Sequence, residues 1–195
     1  MSGDLHTRLA NLPGFPVLPG QRLRLRGPRD EDVDDVFALF SDPAVMRYWT
    51  SAPMRCRTQA EGKLGEMREA FEHRDMLHWL VADRRHDRVI GSCSLFRFDP
   101  RARRAEVGYA LRSNHWGRGL ATEAVGLALD WGFRACSLER IEADIDRRNE
   151  ASRRLLLRLG FRQAQPPRQR FLLGETVAET DVFTLSAQDW RLRRR

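Results

Sequence analysis

Lysine is nearly missing from this sequence of 195 residues: Lys63 is the only one, so the basic side chains are almost all arginines. Long apolar runs are missing as well, and no stretch approaches the roughly 20 residues needed to cross a bilayer. Residues 1–20 lack the basic-then-apolar order of a signal peptide. These absences argue against a membrane-spanning or secreted protein and favour a cytoplasmic one.

Cysteine and histidine are too few and too scattered to suggest a metal site. The three cysteines, Cys56, Cys93 and Cys136, are far apart, and none of the five histidines has another at ligand spacing. We therefore expect reduced, structural thiols and no metal. Two common nucleotide-binding signatures are also absent, because neither G-x-x-x-x-G-K-[ST] nor G-x-G-x-x-G occurs.

Positive charge is in excess, with 34 basic against 27 acidic side chains and a formal net charge of +7. Such an excess is compatible with nucleic-acid binding, and the densest cluster is at residues 191–195. Elsewhere the arginines are dispersed among acids, as on a solvated surface. Nucleic-acid or ribosome contact stays open as an alternative function, and a basic surface would also attract polyanionic ligands.

Hydrophobic periodicity predicts one domain over residues 21–190. Residues 1–20, which contain three prolines and three glycines, predict an extended arm or a mobile leader, and residues 191–195 a basic tail. Alternating patterns predict strands over residues 21–26, 77–82, 89–98, 104–111, 138–146, 161–173 and 177–185, with a turn at Gly174-Glu175. Apolar residues at helical spacing predict helices over residues 30–40, 58–74, 119–134 and 150–159.

One stretch combines two glycines with a strand before it and a helix after it. Residues 116–121 read Trp-Gly-Arg-Gly-Leu-Ala and connect the strand at 104–111 to the helix at 119–134. Glycines let the backbone wrap around an anion, and a helix N-terminus adds unpaired N–H groups and a positive dipole end. Both a phosphate site and a plain tight turn fit this spacing.

The same stretch resembles the acetyl-CoA motif of the GNAT superfamily of N-acetyltransferases. Glu106-Val107-Gly108-Tyr109 and the run from His115 to Ala124 are most similar to the Rim-type branch, named for enzymes that acetylate N-termini of ribosomal proteins. The superfamily pattern is [Q/R]-x-x-G-x-[G/A]; Gly119 and Ala121 match it, whereas Trp116 stands where glutamine or arginine is usual. The resemblance extends from about residue 21 to residue 190.

The resemblance implies an α+β GNAT fold. Its central sheet would be mixed and mostly antiparallel, with about seven strands and about four flanking helices. The strands at 104–111 and 138–146 would splay apart at the cofactor site. The order of predicted strands and helices is the GNAT order.

The resemblance also implies that acetyl-CoA binds in this fork. Backbone amides of the glycine stretch would hold the pyrophosphate, and main-chain groups of the preceding strand would bond pantetheine. The predicted cofactor-binding residues are Tyr109, Ala110, Leu111, Trp116, Gly117, Arg118, Gly119, Leu120, Ala121, Thr122, Asn149 and Ser152.

Two residues are candidates for catalysis. Glu106 shares a strand face with Gly108 and Ala110 and would act as a base, directly or through water; a structural ion pair with an arginine is the alternative. Asn149 and Ser152 match the superfamily's N-x-x-S, which implies that Asn149 supports the cofactor arm and Ser152 protonates the leaving thiolate. A helix cap and a solvated serine are the alternatives for these two residues.

The expected partner is a primary amine: a peptide or protein N-terminus, including that of a ribosomal protein, or a small metabolite. Residues 41–49 resemble the segment that forms one wall of the Rim-type acceptor groove. The Rim-type carboxylate expected late in the chain is not found at residues 168–171, which read Arg-Gln-Arg-Phe, and these arginines favour an acceptor with negative charge. A non-catalytic acyl-CoA sensor on the same fold is a further alternative, and monomer and homodimer both remain open.

Overall fold

The sheet and helices of this chain are seen in a computed structural model that describes residues 5–164, 168–171 and 177–193. The helices in these ranges are α1 (Leu5–Ala10), α2 (Val33–Phe40), α3 (Pro43–Met46), α4 (Arg57–Glu72), α5 (Leu120–Arg134), α6 (Glu150–Leu159) and α7 (Ala187–Arg193). The strands are β1 (Leu18–Pro19), β2 (Leu23–Arg26), β3 (Met76–Asp83), β4 (Val89–Asp99), β5 (Arg104–Leu111), β6 (Arg140–Asp146), β7 (Arg162–Gln163), β8 (Arg168–Phe171) and β9 (Val177–Ser186).

The strands form one mixed sheet in the order β1-β2-β3-β4-β5-β6-β9-β7, with β8 also paired to β9. Only the β5–β6 pair is parallel among the described strands. The α+β fold class is therefore confirmed. The described part has nine strands and seven helices rather than about seven and four. The strand predicted over residues 161–173 corresponds to two strands, β7 and β8, and short elements such as β1 and α1 carry too little periodicity to be predicted.

The parallel pair separates soon after it begins. The β5–β6 ladder covers only Arg104↔Arg140, Ala105↔Ile141 and Glu106↔Glu142. Beyond Glu106, β5 pairs only with β4, and beyond Glu142, β6 pairs only with β9. The sheet is thus forked, with two strand edges facing each other across the gap.

Helices cover both faces of the sheet. The larger core lies under α5, where Leu129 and Phe133 pack with Leu95 and Ile141 from the strands. The smaller core lies between the opposite face and α2 to α4, and includes Leu39, Leu64, Met67 and Leu80. Both layers are needed because side chains alternate across the strands and each face is apolar.

The N-terminal segment differs from the predicted arm. Leu5 and Leu9, one helical turn apart, are buried in the larger core as part of α1. Further along, the carbonyl of Pro16 accepts a hydrogen bond from Trp79 Nε1 (2.8 Å), and the Phe15 ring lies 4.7 Å from that of Phe71. The prolines and glycines shape this segment's turns without keeping its apolar residues off the core.

The end of the chain also differs from the prediction, since Arg191–Arg193 belong to α7 rather than to a separate tail. Trp190 is buried and its Nε1 donates to Asp130 of α5 (2.8 Å). Ser186 Oγ accepts from the backbone N–H of Asp189 (3.0 Å) at the start of this helix. The predicted turn at Gly174-Glu175 and residues 194 and 195 lie outside the described residues. Within the described ranges, no helix combines the length and apolarity that a membrane crossing requires.

A buried histidine makes the stability of the fold depend on pH. His78 on β3 is 7 % exposed; its burial, and secondarily the charge of Lys63, lowers its pKa to about 3. The unfolded chain, with a histidine pKa of about 6.5, binds that proton more tightly. The contribution of His78 to the free energy of unfolding is therefore fully present above about pH 6.5. It falls by about 1.4 kcal/mol for each pH unit below that value, until the folded-state pKa is reached.

We expect His78→Leu to flatten this part of the stability profile. Urea unfolding between pH 7.5 and 5 excludes the carboxylates, which remain ionised over that window, and the difference between the variant and the unmodified chain separates His78 from His115, whose pKa is also lowered. The exposed His73 provides the control, since His73→Leu should keep the slope of the unmodified chain. An unchanged slope in His78→Leu would contradict the assignment.

Candidate functional site

The glycine turn between β5 and α5 presents a row of unpaired amides. Gly117 and Gly119 have φ values of 75° and 73°, a region that other residues enter only with strain. The backbone N–H of Glu123 donates to the carbonyl of Gly119 (3.1 Å), which starts the helix. Among the described residues, no group accepts from the N–H groups of residues 117–122. This is the arrangement that binds an anion at a helix N-terminus.

A side chain from outside the turn fixes its shape. Arg22, just before β2, donates from Nη1 to the carbonyl of Arg118 (2.7 Å) and from Nε to Glu123 Oε2 (2.8 Å). Burial alone would raise the pKa of Glu123, but hydrogen bonds from the Arg22 backbone and side chain lower it overall. The Arg118 carbonyl is therefore held by a cation, which leaves the neighbouring N–H groups as the free polar atoms of the turn.

Trp116 anchors the turn to the strand before it. Its indole Nε1 donates to the carbonyl of Leu111 (2.7 Å), although half of the side chain is exposed. This bond connects the end of β5 directly to the glycine turn. It gives a structural reason for a tryptophan where the superfamily usually has glutamine or arginine.

A cleft of about 550 Å³ opens beside the turn, at the fork of the sheet. Of the predicted cofactor-binding residues, all except Arg118 line this cleft: Tyr109, Ala110, Leu111, Trp116, Gly117, Gly119, Leu120, Ala121, Thr122, Asn149 and Ser152. The fork thus brings the β5 end, the glycine turn and the start of α6 to one cavity.

Two hydroxyl groups lie in the fork. Burial raises the pKa of Tyr109 well above its usual range, and the neighbouring Ser152 hydroxyl offsets part of that rise. The two groups do not meet hydrogen-bond geometry, however, so Tyr109 Oη is buried without a partner among the described residues. Asn149 caps α6 by accepting from the backbone N–H of Ser152 (3.1 Å), and both residues line the cleft. A buried polar group without a partner calls for one, so this hydroxyl at the cavity wall is a candidate contact for a ligand.

The comparison with protein families agrees with this geometry. Residues 22–162 match the model described as an acetyltransferase (GNAT) domain. The chain belongs to the GNAT acetyltransferase family. It is accordingly an acyltransferase enzyme, and the resemblance found in the glycine motif is confirmed.

This GNAT acetyltransferase is also similar to individual relatives and to solved structures. It is 33 % identical over 171 residues to an uncharacterized N-acetyltransferase, YoaA, from Bacillus subtilis, covering 88 % of this chain and 97 % of that one. It is 29 % identical over 139 residues to spermidine N(1)-acetyltransferase from Escherichia coli, covering 71 % and 72 %. Its fold matches that of Mycobacterium smegmatis RimJ in complex with CoA-disulfide, with a TM-score of 0.80, 22 % identity, and coverage of 89 % and 88 %.

Glu106 is the one catalytic candidate that does not line the cleft of this acetyltransferase. Its carboxylate is buried and accepts a hydrogen bond from Arg97 Nη1 (3.0 Å). That ion pair is the alternative that the sequence left open for this residue. A role as a base would need water between Glu106 and the amine, and it stays a prediction.

The segment after α2 forms another wall of the cleft, to which Ala44, Val45, Arg47, Tyr48 and Trp49 contribute. Asp42 caps α3 through the N–H of Ala44 (2.9 Å) and accepts a hydrogen bond from Ser113 Oγ (2.6 Å), which ties the wall to the loop after β5. These two bonds, the Ser113 bond first, lower the pKa of Asp42. Two guanidinium groups lie near the ring of Tyr48, with Arg47 Cζ 5.3 Å and Arg148 Cζ 6.0 Å from its centroid.

Sequence reasoning missed several residues that build this acetyltransferase site. Arg154 and Arg158 on α6 line the cleft, as Ser152 does, and their i, i+4 spacing puts the two arginines on one side of the helix. Arg22 gave no local signal, because its partners are about a hundred residues away in the sequence.

His115 also lines the cleft, where burial and then the charges of Arg112 and Arg118 lower its pKa. It is therefore neutral at pH 7. In the described ranges no group of His, Cys, Asp or Glu side chains could hold a metal ion.

Proposed function

We propose that this enzyme is an acetyl-CoA-dependent N-acetyltransferase that moves an acetyl group directly to a primary amine. The observation that carries the proposal is the row of unpaired amides at residues 117–122, at the open end of a forked sheet. Two negatively charged phosphoryl groups are a natural partner for several N–H groups at a helix N-terminus.

The residues of the cleft fit coenzyme A. The two positive-φ glycines leave no side chain over the amides, and the cleft continues from the turn into the fork. The facing edges of β5 and β6 beyond Glu106 and Glu142 are not paired with each other. These edges offer main-chain partners to the amides of pantetheine, although the carbonyl of Leu111 already accepts from Trp116.

Bound acetyl-CoA supplies a thioester, from which the acetyl carbon forms a bond to the amine nitrogen as its bond to sulfur breaks. The leaving sulfur must gain one proton and the attacking amine must lose one, and the proton lost by the amine replaces, directly or through water, the proton that a hydroxyl gives to the sulfur. Ser152 and Tyr109 provide hydroxyl protons in the fork, and Tyr109 stays protonated at neutral pH because its pKa is raised. A peptide N-terminus, with a pKa of about 8, is partly neutral at pH 7 and makes a strong protein base unnecessary.

The acceptor is a primary amine, for which a peptide N-terminus and a small metabolite are both candidates. The wall formed by residues 44–49 borders the cleft and contributes no residue to the glycine turn, and we assign it to the acceptor. The relative from Escherichia coli is a spermidine N(1)-acetyltransferase, which adds polyamines to the acceptors that need testing.

The experiment that tests this function measures thiol release from acetyl-CoA with a panel of peptides and small amines, together with the mass of each product. We expect thiol release and a gain of one acetyl group on at least one amine. Release of thiol without an acetylated product would contradict direct transfer. Tight coenzyme binding without thiol release across the panel would instead support a non-catalytic acyl-CoA sensor.

A further inference from the structure

The charged side chains on the described lining of the cleft are all basic. They are Arg47 on the acceptor wall and Arg154 and Arg158 on α6, and no described carboxylate shares the lining with them. His115, the other titratable cation there, is neutral because its pKa is lowered. The cavity that receives both reactants therefore has an excess of positive charge.

These three arginines have no acidic partner in the described part of the chain. Most other arginines near the fork are paired with an acid. Arginines without such a partner remain available to bind a ligand. The two arginines lie one helical turn apart on α6, the helix that also carries Ser152, which we assign to the coenzyme. Arg47 belongs to a different segment of the lining, next to Tyr48, and no residue of that segment belongs to the amide row.

The acids nearest to the fork are already engaged by arginines. On the sheet face of Glu106, the ion pairs are Glu106–Arg97 (3.0 Å), Glu142–Arg104 (3.0 Å) and Asp146–Arg148 (2.8 Å). Asp144 is the exception, since its Oδ1 is buried without a partner, but Asp144 does not line the cleft. A polycation would meet unpaired arginines in this cleft rather than carboxylates.

We propose that the acceptor of this enzyme carries an anionic group close to its amine, and that Arg47 binds this group. The inference rests on the proposed acetyltransferase function and names its substrate class. A carboxylate is the simplest such group, supplied either by an acidic residue next to a peptide N-terminus or by a small amino acid. Guanidinium groups suit carboxylates because they donate two parallel hydrogen bonds.

The test uses acceptors matched in size that differ in charge. Tripeptide amides with Asp, Asn or Lys at the second position separate charge from shape; free aspartate and spermidine complete the panel. We expect kcat/KM to be about tenfold higher for the Asp peptide than for the Asn peptide. This factor is at the lower end of the range for a charge-assisted hydrogen bond, because Arg47 is exposed. A comparable rate with free aspartate would identify a small amino acid as the source of the charge, and a low one a peptide.

Variants assign the preference to its residue. Arg47→Gln should remove the advantage of the Asp peptide, Arg47→Lys should keep most of it, and Arg55→Gln, an exposed arginine that does not line the cleft, should keep all of it. Calorimetry with coenzyme A provides a readout apart from turnover, and its Kd should be the same in Arg47→Gln.

Several results would overturn the inference. Preference for the Lys peptide or spermidine would show that the acceptor is cationic, and a raised Kd for coenzyme A in Arg47→Gln would assign Arg47 to the coenzyme. Either result leaves the acetyltransferase function intact. Failure of every acceptor, with coenzyme A still bound, would contradict the proposed function and the acceptor class together.

Discussion

Replacing Gly119 with valine is expected to weaken coenzyme A binding roughly a hundredfold, because the amide row depends on a backbone conformation that valine avoids. Gly119 has φ 73°, and the closest atom to a Cβ at this position is Arg22 Nη2 at 3.5 Å, which is an ordinary contact. The effect therefore comes from backbone strain rather than from a clash. Relief of that strain would turn several N–H groups away from the diphosphate, and charge-assisted hydrogen bonds contribute about 1.5–3 kcal/mol each.

Calorimetry with coenzyme A measures the loss, and urea unfolding checks that the fold survives. Gly119→Asn separates strain from bulk, since asparagine tolerates this conformation better than other non-glycine residues, and it should lose less affinity. Gly62→Ala is the matched control: Gly62 lies within α4 with nothing near its Cβ position, so this variant should keep full affinity. If valine at 119 left the Kd unchanged, the diphosphate would have to bind elsewhere.

The elements that surround the site could be predicted because their signals are local. The strand over residues 104–111 and the helix over residues 150–159 agree with the structure at both ends, since each has clear periodicity and a polar or glycine stop. Gly160, with φ 95°, ends the second of these in the left-handed conformation that glycine favours after a helix. The fork was expected from the family resemblance alone, since no property of β5 or β6 by itself shows where their pairing ends.

The hydrogen bonds that fix the shape of the site could not be predicted, because they join distant parts of the chain. Arg22 contacts Arg118 and Glu123, and Ser113 contacts Asp42, across about a hundred and about seventy residues respectively. Many arginines and acids compete for such pairings in this sequence, and composition does not show which pairs form. The same ambiguity affected Glu106, whose type and strand face suit a base although its carboxylate is bound to Arg97.

Local rules also failed where weak signals were outweighed by packing. Residues 1–20 look like an arm because prolines and glycines dominate them, yet Leu5 and Leu9 provide enough apolar surface to dock α1 on the core. Burying leucine side chains stabilises such a short helix by more than its own propensity could. Leu5 and Leu9, with the partly buried Leu12, Phe15 and Leu18, consequently pack on the larger core.

Removing the hydroxyl of Ser152 should lower kcat about a hundredfold, which is the lower end of the range for loss of a general acid. The Kd for coenzyme A should stay nearly unchanged. Ser152 lines the fork, and its backbone N–H, rather than its side chain, is bound by Asn149. Ser152→Ala therefore preserves the helix cap and removes a proton that the leaving sulfur needs. Ser94→Ala, which removes a hydroxyl on β4 that contacts the carbonyl of Gly108 outside the cleft, should leave kcat unchanged.

Tyr109→Phe tests whether the two hydroxyls act as one unit. Tyr109 Oη is buried beside Ser152 without a partner, so a shared role in protonating sulfur predicts a comparable loss of kcat, and the double variant should lose little more than the worse single one. Independent roles would instead multiply the two losses. Single-turnover rates and coenzyme Kd values distinguish these cases. A collapse of coenzyme affinity in Ser152→Ala would show that the hydroxyl holds the cofactor, and the leaving-group role would then be wrong.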